Sequence, residues 1–294
     1  MARITKAIVN DGSMFIMAID STDMVEEAEK IHKTSAVCTA AIGRLLTGAS
    51  LLGSNLKGEN ETLTIRVDGD GPASPLVAVA DSIGNVKGYL AGNVVEIPLN
   101  SVGKLDVGGA VGRTGTLSVI KDLKMKEPSI GQVEIQSGEI AEDLTYYLAQ
   151  SEQVASACAL GVLVNPDLSV WTAGGFVVQL LPGADEESIS KLEENLAVIP
   201  QVTEILKNEG TPEDIIAQVF AGMDYEIMDS FEVFYQCDCN RERVENILKS
   251  LGKAELTEMI EEREPIDVHC DFCGKDYNFT TADLEKLKEL THRS

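Results

Sequence analysis

The sequence predicts an α+β protein in three parts: a mixed α/β core domain over residues 1–181, a helical linker over 182–234, and a small cysteine-rich module over 235–294. Three observations predict it. Up to about residue 180, strand-like runs outnumber helical ones and do not alternate regularly with them, which favours α+β over a parallel α/β sheet. From Pro182 the patterns become helical and acidic: the last two-fifths of the chain carry 27 acidic against 11 basic side chains, two-thirds of the net charge. Near the end stand four cysteines in two close pairs, Cys237-Asp238-Cys239 and Cys270-Asp271-Phe272-Cys273.

In the core domain, Asp11-Gly12 between IVN and MFIMAI is a hairpin signal. The apolar stretch Thr34 to Leu56 contains Arg44 and many Ser, Thr and Gly, so it reads as a buried small-residue helix and not a membrane span. Thr62 to Val67 alternates polar and apolar, then breaks at DGDGP. Segments 75–80, 86–90 and 115–120 read as further strands. VGGAVGRTGTL (107–117) lacks the G-x-x-x-x-G-K-S/T pattern and its glycines are assigned to turns, so no nucleotide site is expected. Glu139 to Gln150 places Ile140, Leu144 and Leu148 on one helical face. Gly161 to Val164 and Gly174 to Leu181 read as buried strands.

In the linker, Asp185 to Ile199 aligns Ile189, Leu192 and Leu196. Thr211-Pro212 is an N-cap followed by proline at the first helical position, with Ile215, Ile216, Val219 and Phe220 after it and Gly222 as a stop. Such short helices need a docking surface, since alone they are marginal. The first domain is the obvious one, and the linker is read as metastable.

In the last module, Arg241 to Leu251 is a helix with Val244, Ile247, Leu248 and Leu251 inward, closed by Gly252. Ala254 to Glu262 is a second, and Ala282 to Leu290 a third, with Leu284, Leu287 and Leu290 aligned. So few large apolar groups make a poor core, and domains this small often depend on a metal. Two close thiol pairs are a common way to surround tetrahedral zinc. The ligands expected are Cys237, Cys239, Cys270 and Cys273, making this a zinc-binding module. Thiolate is also the form of sulfur that oxidants attack, so the four residues can form a static staple or a redox switch. His269 adjoins Cys270, but four thiolates already complete a tetrahedron, so it reads as an exposed, non-ligating side chain and not as an alternative ligand. His32 and His292 have no sequence partner suggesting catalysis. Cys38 and Cys158 sit in apolar stretches and read as buried free thiols.

A net charge of −24 argues against nucleic acid and anionic membranes as partners. The opening MARITKAIVNDG has no long apolar region of a signal peptide, and a reducing cytoplasm suits the free thiols.

CDCNRERVENILKSLG (237–252), the thirty residues between the pairs, and VHCDFC followed by YNFTTADLEKL resemble the redox-regulated heat-shock chaperones of about 33 kDa, the 33 kDa chaperonin family. SGEIAEDLTYYLAQSEQ (137–153), LGVLV (160–164) and AGGFVVQLLPGA (173–184) extend the resemblance over most of the chain. It implies an ATP-independent holdase for unfolded or partially unfolded client proteins, with no catalytic residues. The reduced zinc-bound form is idle. By the pattern of that family, oxidation is expected to form Cys237–Cys239 and Cys270–Cys273 disulfides, release zinc, unfold the linker and expose apolar surface, with the active form associated with homodimers. The residues read without the resemblance leave two alternatives: a disulfide oxidoreductase using Cys270 and Cys273, or a zinc-stapled adaptor without a redox role.

Overall fold

The structure is a computed structural model that describes residues 1–207, 209–262 and 264–291. The chain divides into two compact units, Met1–Gln236 and Cys237–Ser294.

The first unit begins as expected with a hairpin, β1 (Arg3–Val9) and β2 (Met14–Asp20). Gly12 turns it at φ +73°, a left-handed value that favours glycine, and its N–H bonds to Val9 O at 2.8 Å. Helices α1 (Thr22–His32) and α2 (Ala36–Gly53) follow. Then come β3 (Thr62–Gly69), β4 (Leu76–Asp81), β5 (Val86–Leu90), a short helix α3 (Val107–Val111), β6 (Gly115–Asp122) and β7 (Ser129–Glu134). Helix α4 (Ala141–Gln150) leads into β8 (Ser156–Val164) and β9 (Val170–Leu180). The 107–117 glycines make more than turns: α3 forms, and Gly112, at φ +103°, passes so close to the 70–71 backbone that a Cβ there would lie 2.4 Å from Gly71 N.

The stretch 182–234 contains helices α5 (Glu186–Val198), α6 (Val202–Leu206) and α7 (Pro212–Val219), but it ends in a strand, β10 (Tyr225–Glu232). The expectation of a helical segment over 182–234 is corrected at 225–232. YEIMDSFE carries no helical apolar stripe, and it pairs antiparallel with β1 through a bulge at Lys6/Ala7.

Two antiparallel five-stranded sheets result, in the orders β10-β1-β2-β9-β8 and β5-β4-β3-β6-β7. Helix α2 packs against strands of both. That explains its small residues: a Cβ on Gly48 would lie 2.5 Å from Leu144 Cδ1, and one on Gly53 2.5 Å from Ala80 Cβ. The helix is long and apolar enough to cross a membrane, but its span is 89% buried inside the protein, as a core helix.

The first sheet buries both faces. On β2, Met17 and Ile19 point into the main core with α2, whereas Met14, Ile16 and Ala18 point into a second cluster. That alternation is the two-residue period of a strand. The second cluster also holds Leu192, Val202, Leu206, Ile215, Ile216 and Val219 from α5, α6 and α7, with Phe220 from the end of α7. Asn195 Nδ2 ties α5 to the end of α7 by donating to Val219 O (2.9 Å) and Ala221 O (3.0 Å). Asp185 caps α5, and Thr211 and Asp214 form a capping box on α7. The Arg3 guanidinium grips Glu213 with two bonds of 2.6 Å, and the Thr5 hydroxyl adds a third at 2.9 Å.

The second unit holds helices α8 (Arg241–Ser250) and α9 (Lys253–Glu261), a hairpin of β11 (Ile266–His269) and β12 (Asp276–Phe279), and helix α10 (Thr281–Leu290). Its buried core among the described residues is Val244, Leu248, Leu256, Phe279, Leu284 and Leu287. Ile247 and Leu251, expected inward, are exposed, as is Leu290 at the end of its aligned stripe. The seam on α8 is a narrow i, i+4 stripe of Val244 and Leu248, which leaves Ile247 outside it.

Candidate metal centre

Two local structures present the four cysteines. Cys237 and Cys239 lie on the extended segment entering α8, where Asn240 accepts the N–H of Arg243 at 2.9 Å and starts the helix. The Arg243 guanidinium pairs with the intervening Asp238. Cys270 and Cys273 occupy the tip of the β11–β12 hairpin. The Cys270 carbonyl accepts from Cys273 N (3.2 Å) and Gly274 N (2.8 Å), and Cys270 N donates to Lys275 O (2.9 Å). Gly274, at φ +68°, makes the left-handed step that closes this turn.

The sequence supplies the supports for this hairpin. Arg241 lies over the Phe279 ring at 4.3 Å, donates to Asn278 O at 2.9 Å and sits 3.4 Å from Asp283. It thereby links the start of α8 to β12 and to the first turn of α10. Thr280 and Asp283 cap α10 reciprocally.

The fold brings all four expected cysteines together: their Sγ atoms lie within 4.8 Å of one another. Cys237 and Cys270 are 3.8 Å apart, and Cys239 and Cys273 3.2 Å. Metal–sulfur bonds of about 2.3 Å in a tetrahedron place sulfurs roughly 3.8 Å apart, so the cluster has the dimensions to hold a metal ion. His269 stays outside it. Its exposed ring bonds to Asp276 at 2.6 Å, and this partner, ahead of some opposing desolvation, raises its pKa. His32 Nε2 bonds instead to Gly88 O (2.9 Å) and the Tyr235 hydroxyl (3.1 Å), and His292 lies outside the described residues.

The thiols are electrostatically unequal. Burial pushes Cys237 up, and burial with hydrogen bonding to the neighbouring thiols pushes Cys273 up to about 12. Cys239 goes the other way: burial opposes ionisation, but hydrogen bonds from Tyr277 and the other cysteines outweigh it and hold the thiol down to about 7. Four clustered thiols cannot all ionise without a cation, because like charges penalise one another. A divalent, thiophilic ion would satisfy this donor set.

The remaining cysteines are inert by comparison. Cys38 is buried, which raises its pKa, and its Sγ donates to Gly92 O at 3.2 Å. Cys158, on β8, is only partly buried as a residue, but desolvation of its thiol pushes the pKa up to about 12. No spacing rule pointed to Tyr277, whose hydroxyl reaches Cys239 Sγ at 3.1 Å, nor to Arg241. Tyr277 stands four residues past Cys273 on the strand that returns from the knuckle, so only the hairpin register places it there.

Comparison with known proteins matches residues 2–280 to the model of the Hsp33 protein family. The 33 kDa chaperonin of Lachnoclostridium phytofermentans is 47% identical over 291 residues, covering 99% of this chain and 98% of that protein. That of Acetivibrio thermocellus is 45% identical over 287 residues, covering 98% and 97%. The crystal structure of the 33 kDa chaperonin (heat shock protein 33 homolog) from Thermotoga maritima superposes with a TM-score of 0.89 at 38% identity, covering 98% of each chain.

Proposed function

The chain belongs to the Hsp33 family, and from that premise we propose that it is a redox-regulated chaperone that holds unfolding proteins without ATP. The observation that carries the mechanism is the four-thiol cluster at the heart of a module with a very small core. In the reduced state Cys237, Cys239, Cys270 and Cys273 hold zinc as thiolates. Zinc supplies a cross-link between the α8 entry and the hairpin tip, worth roughly 10–16 kcal/mol of folding free energy in comparable peptides.

Oxidation removes the donors. Each thiolate pair gives up two electrons as a sulfur–sulfur bond forms, and peroxide accepts them together with two protons from solvent to become two waters. The pairing we propose is Cys237–Cys239 and Cys270–Cys273. The reduced fold also brings Cys239 Sγ and Cys273 Sγ to 3.2 Å across the pairs, so peptide mapping by mass spectrometry distinguishes the two arrangements.

In this reading residues 182–234 are a metastable linker between a core domain and a switch module. The linker's apolar stripe is docked on the outer face of the first sheet. Its release uncovers two apolar surfaces for clients, and the oxidised protein pairs into homodimers. Six free thiols fit a reducing cytoplasm as its place of work. We assign it no enzymatic turnover.

The test compares reduced zinc-loaded and oxidised protein for suppression of aggregation of a chemically unfolded protein, without ATP. Only the oxidised form should suppress it. Catalytic turnover of a small disulfide substrate would instead assign an oxidoreductase. Retention of metal and structure under peroxide and heat would leave a plain staple.

A further inference from the structure

We propose that Tyr277 sets the oxidant threshold of the switch, as a positioning residue that shields one of the metal-held sulfurs. The inference rests on the redox reading above and adds a residue to it. The Tyr277 hydroxyl donates to Cys239 Sγ at 3.1 Å. The hairpin register fixes the ring, since Tyr277 pairs with Val268 across β11–β12 and packs against the module's core. Among the described residues no side-chain hydroxyl is placed on Cys237 or Cys270, so the protection is one-sided.

The sign follows from how sulfur is oxidised. When metal holds Cys239, the sulfur is a thiolate whatever its neighbours do, and its reactivity is set by nucleophilicity. A peroxide or hypochlorite oxidant must approach a sulfur lone pair. The tyrosine O–H occupies one lone pair and draws charge from the sulfur, as lowering a thiol's basicity lowers its nucleophilicity. The step balances as thiolate plus peroxide plus a proton giving sulfenic acid and water. A second thiol then displaces water to form the disulfide. Losing the hydroxyl leaves this chemistry unchanged and lowers its barrier.

The experiment uses the full-length, zinc-loaded Tyr277→Phe protein, which keeps the ring and its packing. Zinc release is followed with a chromogenic chelator, under hypochlorite or peroxide and, separately, under chelator alone. The expected result is oxidant-driven release up to about tenfold faster, equivalent to about 1.4 kcal/mol, with one zinc per chain and unchanged chelator-driven release. Val268→Ala serves as the comparison: it loosens the same hairpin without touching the sulfur, so it should speed both kinds of release together. Oxidant-driven rates within twofold of the parent, or equal acceleration of both rates in Tyr277→Phe, would overturn the proposal. If the parent protein loses zinc on oxidation but never holds a client, the chaperone reading fails and the role of Tyr277 stands.

Discussion

Replacing Phe220 by alanine should partly activate the reduced, zinc-loaded protein. Phe220 ends α7, is 1% exposed, and lies in the apolar cluster that docks the linker on the first sheet, with its ring 5.7 Å from that of Tyr225. It takes no part in the main core around α2, which buries the other face of that sheet. Truncating a buried Phe costs about 3–5 kcal/mol. Because the cavity opens at a docking surface that can relax, the low end applies, and about 3 kcal/mol shifts the docked-to-released ratio by roughly a hundredfold. Leu192→Ala acts at the same surface, at about 2–5 kcal/mol. Strand β10 should be the last part of the linker to go, since it is paired with β1 along its length. Hydrogen exchange should therefore lose protection over 186–219 before 225–232, while β3 to β6 stay protected. The matched assay is aggregation suppression by the reduced variant. If protection over 186–219 falls and no client is held, linker docking does not gate activity. If activity rises with protection intact, clients bind elsewhere.

Other outcomes follow from the same structure. Serine at Cys237, Cys239, Cys270 or Cys273 should abolish zinc binding measured by elemental analysis, while serine at Cys38 or Cys158 should leave one zinc per chain. Lowering the pH should loosen α7. Burial pushes the Glu213 carboxyl up, but its own backbone N–H, Thr5 and Arg3 outweigh this and hold it below the usual 4.5. A depressed folded pKa stabilises docking above the unfolded value and loses that contribution as the pH falls through the folded one. The amide signals of α7 should therefore shift below pH 4.5, and Glu213→Gln should remove the step. Calorimetry with ATP should show no micromolar binding, and client release should need reduction and not nucleotide.

Much of this protein was legible in order along the chain. The Asp11-Gly12 hairpin, the small-residue helix, the Thr211-Pro212 cap and the cysteine pairs each declare themselves through local chemistry: a left-handed turn, a close approach, a missing N–H, a thiol spacing. Strand β10 was not legible, because YEIMDSFE earns its conformation from β1, more than two hundred residues away in sequence. The exposure of Ile247 and Leu251 departs from the sequence pattern for a related reason. An apolar stripe marks a helical face, and its width is decided by the partner that packs on it.

The sequence by itself predicted which thiols would meet: the two close cysteine pairs, with no histidine between them, are the four sulfurs that the fold brings within 4.8 Å of one another. It also predicted, from amphipathic pattern alone, that the helices after Pro182 need a packing surface. Only the tertiary structure decided where that surface is: the outer face of a sheet whose inner face is already filled by α2. Only it decided that Tyr277 reaches one sulfur and that Arg3 grips Glu213. The physical reason is reach. Periodicity, caps and cysteine spacing act over a few residues and can be read along the chain. Hydrogen bonds between groups far apart in sequence, or across a hairpin, exist only after strand register has been set.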